Sequence, residues 1–458
     1  MTASACVWLC LFPLLQGGTY AHITRDKWMI ALVLTGVTFL CFLFDMIFRY
    51  LVRKKASGSG KSGTDRSPHC VIPNERKKSA RRVVPLILIS AILLWNVLSC
   101  VFSSFGPEVF WVGEATRYEG LLIELCYGVL FVLFFFSRVN LKPVLLSAAA
   151  GVAAFFAVVL LQRASGNPLG LYPGGRGYLT NPEFQGTIGN IDMCTGYLLL
   201  LAGLFLYGLL RPVPERRESR EPSGGFRALV RSRTHWDRFC LSVYLLALLL
   251  TVWLIWSMGV QFGMIGLAVL ALFTFLRFLP RRWRLPLLIL LIVLALLVVW
   301  FWPKYGGGIW ELHEILHGRG RLSFGSNRVA VWLFSLRLAR ENLLFGGGSG
   351  TFRARFNRFL ADNSLTIPTE QDGVALPSYF DNPHNEYIAR LTDHGLPSVL
   401  FFLALLFAAF FRRRDGWFPL LAPCSAAVLC YAVQAFFSFS VPLVAPMFWV
   451  ILGLSFRE

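Results

Sequence analysis

Apolar residues in this chain come in runs of about 18 to 22 between short polar stretches, the length a helix needs to cross roughly 30 Å of hydrocarbon. The runs are apolar on every face, so they carry neither the 3.6-residue nor the two-residue period of a half-buried element. Spans are expected near Cys6 to Gly17, Trp28 to Leu51, Val84 to Val101, Tyr118 to Phe136, Pro143 to Leu161 and Ile188 to Leu210. Others follow near Cys240 to Trp256, Gly259 to Leu276, Leu285 to Trp302, Leu396 to Phe411, Phe418 to Phe437 and Pro442 to Leu454. The pattern predicts an all-α polytopic membrane protein of about 12 transmembrane helices with one large periplasmic loop containing short helices. The first run is short and broken by Pro13. With no basic region before it and no small-residue cleavage site after it, it reads as a span or half-span and not as a signal peptide.

Composition agrees with this reading. Of 458 residues 56% are hydrophobic and 15% charged, against about 25% charged in a soluble domain. The net charge of +19 is unevenly placed. Basic residues gather in the linker Arg53 to Arg82, the loop Arg211 to Arg238, the turn Arg277 to Arg284 and the cluster Arg412, Arg413 and Arg414. With Arg138, Lys142 and Arg457 these hold about 28 of the 44 Lys and Arg residues, and they alternate with the spans as cytoplasmic segments should. Both termini are then cytoplasmic. The charge is a topology signal with some attraction to anionic lipid head groups, and no nucleic-acid partner is expected.

The linkers at 58–63 and 216–225 are polar and rich in Gly, Ser or Pro, and Gly58 to Ser62 lacks P-loop spacing. The ten cysteines lie in spans or, for Cys70, in the cytoplasmic linker, so neither disulfides nor a metal site is implied. No cofactor is called for. The chain divides into residues 1–302 with nine spans and basic linkers at 53–83 and 211–238, the large periplasmic loop 303–383, and the last three spans in 384–458.

The long loop reads as ordered. Ser326 or Asn327 can cap a helix running to Asn342, with Val329, Trp332, Leu333 and Leu336 as an apolar stripe suited to the bilayer surface. Gly346, Gly347 and Gly348 end it. The glycines up to Gly350 read as a helix stop, with a backbone anion nest as the alternative. Polar residues collect at predicted outer span ends: Arg117, Glu119 and Glu124, then Arg176, then Asn190 and Asp192, then Arg328, His384, Arg390 and Asp393. An ion-coupled transporter is expected to carry ionisable residues and broken helices at the midplane, where this chain offers little beyond Gln434 and a Gly-interrupted eighth span. The distribution favours a site open to the periplasmic leaflet.

Asp381-Asn-Pro-His-Asn-Glu-Tyr-Ile388, with Gly395 further on, resembles the His-Asn signature of the O-antigen ligase and polymerase superfamily of GT-C-like lipid-linked glycan transferases. Ser398 stands where that pattern usually has Gly, Thr or Tyr. Arg117-Tyr-Glu-Gly-Leu-Leu122, Gly186-Thr-Ile-Gly-Asn-Ile-Asp192, Asn327-Arg-Val-Ala-Val-Trp332 and the glycine turn at 344–352 are similar to further segments of the superfamily, in the same order. Relatives often carry Ser-Arg-Gly between the seventh and eighth spans, whereas this chain reads Ser257, Met258, Gly259.

The resemblance implies direct, inverting, metal-independent transfer of an undecaprenyl-diphosphate-linked glycan to a hydroxyl of lipid A-core or another glycan or protein acceptor, at the periplasmic face of the bacterial inner membrane. Guanidinium groups suit the diphosphate, and Arg328, Arg117 and Arg176 are the candidates. A hydroxyl nucleophile needs a base, and His384 suits that role. Asn382 as N-cap and Pro383 as first helical residue would place His384 in the first turn, where the helix dipole favours neutral imidazole. Asn385, Asn190 and Glu119 are supporting candidates. Glu386 and Arg390 form a helical i, i+4 pair, and His313, His317 and His394 read as solvated or interfacial. Arg337, Arg340, Arg353, Arg355 and Arg358 meet either lipid phosphates or the glycan. An O-antigen-type polymerase and a protein O-oligosaccharyltransferase share these motifs, and a polysaccharide or lipid-linked-sugar transporter is the alternative from another class.

Overall fold

The structure, a computed structural model, describes residues 1–58, 74–210, 234–371, 374–377, 380–410 and 424–456. The linker motifs at 59–63 and 216–225, the arginines 412–414, Arg457 and the start of the predicted Phe418 span lie outside them. Helices dominate. In chain order they are α1 (Thr2–Leu14), α2 (Ile23–Gly58), α3 (Asn74–Val101), α4 (Leu121–Phe136), α5 (Leu141–Ser165), α6 (Ile191–Leu210), α7 (His235–Met258), α8 (Gln261–Phe278) and α9 (Arg281–Trp300). The long loop holds α10 (Gly308–Leu316), α11 (Arg328–Ala339) and α12 (Phe352–Asp362), and the chain ends with α13 (Glu386–Phe410), α14 (Ser425–Gln434) and α15 (Ala445–Ser455).

Seven of these helices are long and apolar enough to cross a membrane: α2, α3, α5, α6, α7, α9 and α13. Five shorter apolar helices stand at the other predicted places: α1, α4, α8, α14 and α15. The short first run ends without exposing its carbonyls. The fully buried Lys27 donates from Nζ to Phe12 O at 2.6 Å and to Pro13 O at 2.9 Å, so a lysine amino group caps a helix terminus that hydrocarbon could not solvate.

α6 is the central post, with 78% of its apolar window buried, while α9 buries none of its own. α7 and α14 pack on α6, and α15 packs on α4. With lipid as apolar as leucine, close packing takes over from the hydrophobic effect. Gly203 lets α14 approach until a Cβ there would overlap Ala427, and Gly453 faces Phe131 O in the same way at 2.6 Å.

α13 is discontinuous, which the sequence reading did not foresee. Gly395 (φ 75, ψ 178) breaks it two residues before Pro397. Leu396 N donates to Leu343 O at 2.8 Å, and Pro397 has no N–H, so Thr392 O and Asp393 O lose their helical donors. The glycine turn replaces them: Gly347 N reaches both carbonyls, Gly348 N reaches Asp393 O at 2.8 Å, and Ser99 Oγ and Arg355 Nη1 add 2.6 and 2.7 Å bonds. The amides of Gly347 and Gly348 are thereby committed to protein carbonyls, which replaces the anion-nest reading with a helix-docking one. Gly395→Ala would put a Cβ on Leu344 O at a positive φ. A loss of roughly 3 kcal/mol or more is expected, and thermal unfolding in detergent within about 2 °C of wild type would refute it.

The long loop has its own small core, formed by Val331, Phe334, Leu338, Phe352, Phe356 and Leu360 between α11 and α12. Two hairpins qualify the all-α expectation: β1 (Phe184–Gln185) with β2 (Gly189–Asn190), and β3 (Pro368–Gln371) with β4 (Val374–Pro377). Helix α11 has two apolar sides. Leu333 and Leu336 of the predicted stripe are exposed, while Ala330, Val331, Phe334 and Leu338 form the face buried in protein. Asn327, at φ 68, makes no side-chain cap; backbone bonds from Val329 N to Phe324 O and from Ala330 N to Leu322 O close the first turn.

Candidate active site

His384 stands two residues before α13, not inside it. Asn385 is the cap: its Oδ1 accepts from Tyr387 N at 3.0 Å and Ile388 N at 3.1 Å. Asn382, expected as cap, instead accepts from His384 N at 2.8 Å and holds a turn in which His384 takes φ 50. A non-glycine residue in that region is strained by about 1 to 3 kcal/mol and needs outside support. Trp332 supplies it from α11, donating from Nε1 to Pro383 O at 2.8 Å. The His384 ring meets Phe439 edge-on at 5.2 Å.

In front of His384 opens a cavity of about 350 Å³. Arg117, Asn190, Asp192 and Asp381 line it with His384, so segments far apart in the chain meet there. Arg117 lies 4.4 Å over the Phe439 ring and grips Asp381 through two bonds, Nε–Oδ2 at 2.7 Å and Nη2–Oδ1 at 3.0 Å. Asn190 Oδ1 accepts from Asp192 N at 2.8 Å, capping α6. Arg328 stands behind Asp192, 4.0 Å from its carboxylate, and stacks 4.3 Å over Phe262. Burial lowers Arg328's hold on its proton, partly offset by Asp192.

Burial, then Arg328, then Arg117 push the His384 imidazole down to about 4, with Asp381 opposing. Neutral imidazole was expected from a helix dipole; desolvation and two guanidinium groups are the cause instead.

The structure keeps some candidates away from this cavity. Arg176 is exposed in the 166–183 loop and does not line it. Glu119 faces a second compartment behind it. Arg353 pairs with Glu114 at 2.9 Å and Arg355 binds Thr392 O, so these two have protein partners in place of lipid or glycan. His394, expected at an interface, is 1% exposed and lies 2.9 Å from Glu124. Glu386 and Arg390 do pair, at 3.4 Å. His313 and His317 are half-buried, and His317 stacks on Trp300 at 4.2 Å. Beside Met258, where relatives offer an arginine, a guanidinium is nevertheless present: Arg163, from the end of α5, bonds Ser257 Oγ at 3.2 Å and Gln185 Oε1 at 2.8 Å.

Fold and site define a many-helix membrane protein whose basic, acidic and imidazole groups converge on one cavity. Residues 245–403 match the family model described as O-antigen ligase, a segment that includes the Arg328 helix, the glycine turn and the His384 motif. The family resemblance read from the motifs is therefore borne out over that segment, which is similar to a family of lipid-linked glycan-handling enzymes. No curated protein matches the chain.

Proposed function

We propose that this protein is a glycosyltransferase that moves a glycan from undecaprenyl diphosphate to a hydroxyl of lipid A-core, at the periplasmic face of the bacterial inner membrane. The observation that carries the reading is a neutral buried imidazole that shares one cavity with the Arg117 guanidinium and feels the charge of a second, Arg328, behind the Asp192 wall of that cavity. Diphosphate departure builds charge on phosphate oxygens. Arg328 is held by one long ion pair and a ring face, so its fork is free to bind them, and Arg117 keeps Nη1 uncommitted by Asp381. His384 takes the acceptor proton as the oxygen attacks the anomeric carbon from the face opposite the diphosphate, which inverts that carbon without a metal's help.

The chain's about twelve apolar helices are then spans, with His384, Arg117 and Asp192 at their periplasmic ends. Deleting the gene and restoring the wild-type chain tests the reading through surface glycan and lipid profiles. Loss of long glycan on lipid A-core with lipid-linked polymer accumulating supports a ligase. Accumulation of single repeat units would redirect the assignment to a polymerase, and unchanged profiles would end it.

Trp332→Phe keeps the 5.3 Å ring contact with Phe436 but removes the bond to Pro383 O. With about 1 kcal/mol lost from the loop, kcat is expected to fall several-fold with KM little changed. A pure KM effect in a reconstituted assay would show that Trp332 serves binding and not the placement of His384.

A further inference from the structure

The segments that line the cavity turn a second face away from it. Arg117 and Tyr118 border the cavity and Glu119 does not; the same alternation separates His384 from Glu386 and Phe439 from Ser440. Glu119, Glu386 and Ser440 instead border a compartment of about 40 Å³, shared with Glu124, Asp393 and His394. The two spaces are thus lined by neighbouring residues of the same segments.

Partners inside the compartment are incomplete. Glu124 accepts from Ser349 Oγ at 2.9 Å and Asn96 Nδ2 at 3.1 Å, and Glu386 accepts from Tyr431 OH at 2.9 Å. Left buried without a partner are Tyr127 OH, His394 Nδ1, Arg390 Nε and Asp393 Oδ1, on side chains that all line this space. Tyr127 is 4% exposed and His394 1%. Donors and acceptors are both unmet, so a bare cation does not suit them and water does. The volume has room for about two or three molecules.

His384 Nδ1 is also buried without a partner. Once protonated, His384 would be an imidazolium between Arg117 and Arg328, a position from which its proton must leave before the next turnover.

We propose that this compartment holds water and is the proton exit of the reaction cavity, a role that rests on the transferase reading above. The acceptor O–H bond breaks and its proton goes to His384. The oxygen bonds the anomeric carbon, and the diphosphate leaves with the electron pair of its C–O bond. The proton then passes from His384 to the Glu386 carboxylate, and from Glu386 through compartment water to Glu119 as Glu119, at the part-exposed rim, gives one up to bulk water, so that His384, Glu386 and Glu119 all return to their starting states. Around Glu119 stand Arg117, Glu124, Glu386 and Asp393, with Arg390, His394 and Tyr127 beyond them. Burial outweighs the opposing Arg117, and the neighbouring carboxylates add to it, so Glu119 keeps its proton well above the usual carboxylate range.

The test uses the full chain in liposomes, as wild type, Glu119→Gln and Glu386→Gln. Without substrate, infrared spectra should show a protonated-carboxyl C=O band at neutral pH that Glu119→Gln removes. With an undecaprenyl-diphosphate glycan and lipid A-core, each variant should transfer about tenfold more slowly and regain rate with added imidazole buffer, to which wild type is indifferent. Variants that match wild type, variants that are slow without buffer rescue, or a missing band overturn the proton exit while leaving transfer itself standing. A wild-type protein that does not transfer overturns the transferase reading, and the proton's source with it.

Discussion

Replacing His384 by alanine is expected to lower transfer by about 10²- to 10⁴-fold, the range for losing a general base, with donor binding largely kept because both arginines remain. The pH dependence is the sharper check. A base acts deprotonated, and the His384 pKa is pushed down to about 4 by burial and then by Arg328 and Arg117. The free enzyme therefore has its base ready at every pH above about 4, and kcat/KM should show no acid limb near the ordinary histidine value of about 6.5. Binding a diphosphate changes the balance. Its charge neutralises the two guanidinium groups that oppose protonation, so the acid limb of kcat should lie above that of kcat/KM. Donor binding would thus raise the basicity of a base that is weak in the empty site. Coincident limbs, or a kcat/KM limb near 6.5, would mean that His384 is not held between the arginines.

The same lowered pKa has a stability consequence of definite sign. In the unfolded chain His384 protonates near its ordinary value, whereas in the folded one it resists until about pH 4. Protons therefore favour the unfolded state, and the contribution of this residue to stability falls as pH drops through that window.

Much of the architecture was legible because a membrane span is a local property: twenty apolar residues announce it without reference to the rest of the chain. The predicted starts of α3, α6 and α8 fall within a few residues of the apolar stretches observed, Val83 in α3 among them. His384 was legible through its neighbours Asn382 and Asn385. Their roles were not, since the two asparagines compete for the same capping geometry and only the backbone path decides that Asn385 wins. What the sequence could not disclose depends on meeting through space. Arg117 and Asp381 are 264 positions apart, and His394 and Glu124 are 270. Arg163 was passed over because it ends an apolar run and has the look of an interface anchor; only the β1–β2 hairpin, which presents Gln185, brings it to Ser257. The one signal available for the break in α13 was Gly395 followed closely by Pro397, a pair that reads as a family motif and also as a helix interruption.

Arg328→Ala should have the second large effect, a fall of roughly 10²- to 10³-fold in transfer, the cost of removing one preorganised charge donor from a transition state. Arg117 offers only Nη1, since Nε and Nη2 are bonded to Asp381, whereas Arg328 meets Asp192 at only 4.0 Å and has more of its fork to give. Arg328→Lys should recover little. An ammonium has neither the planar fork for two phosphate oxygens nor the flat face that now rests on Phe262. A second readout separates phosphate binding from a packing defect. Of the charged groups around His384, Arg328 depresses its pKa most, so its removal should raise the kcat/KM acid limb from about 4 toward 6.5 even as the rate falls. Arg358→Ala, an exposed change on α12 away from the cavity, should move neither. Should Arg328→Ala transfer at near the wild-type rate, the diphosphate must be held by Arg117 or by Arg163, and the clamp drawn around His384 would have to be redrawn; should the rate fall with the acid limb unmoved, Arg328 is not the neighbour that keeps His384 neutral.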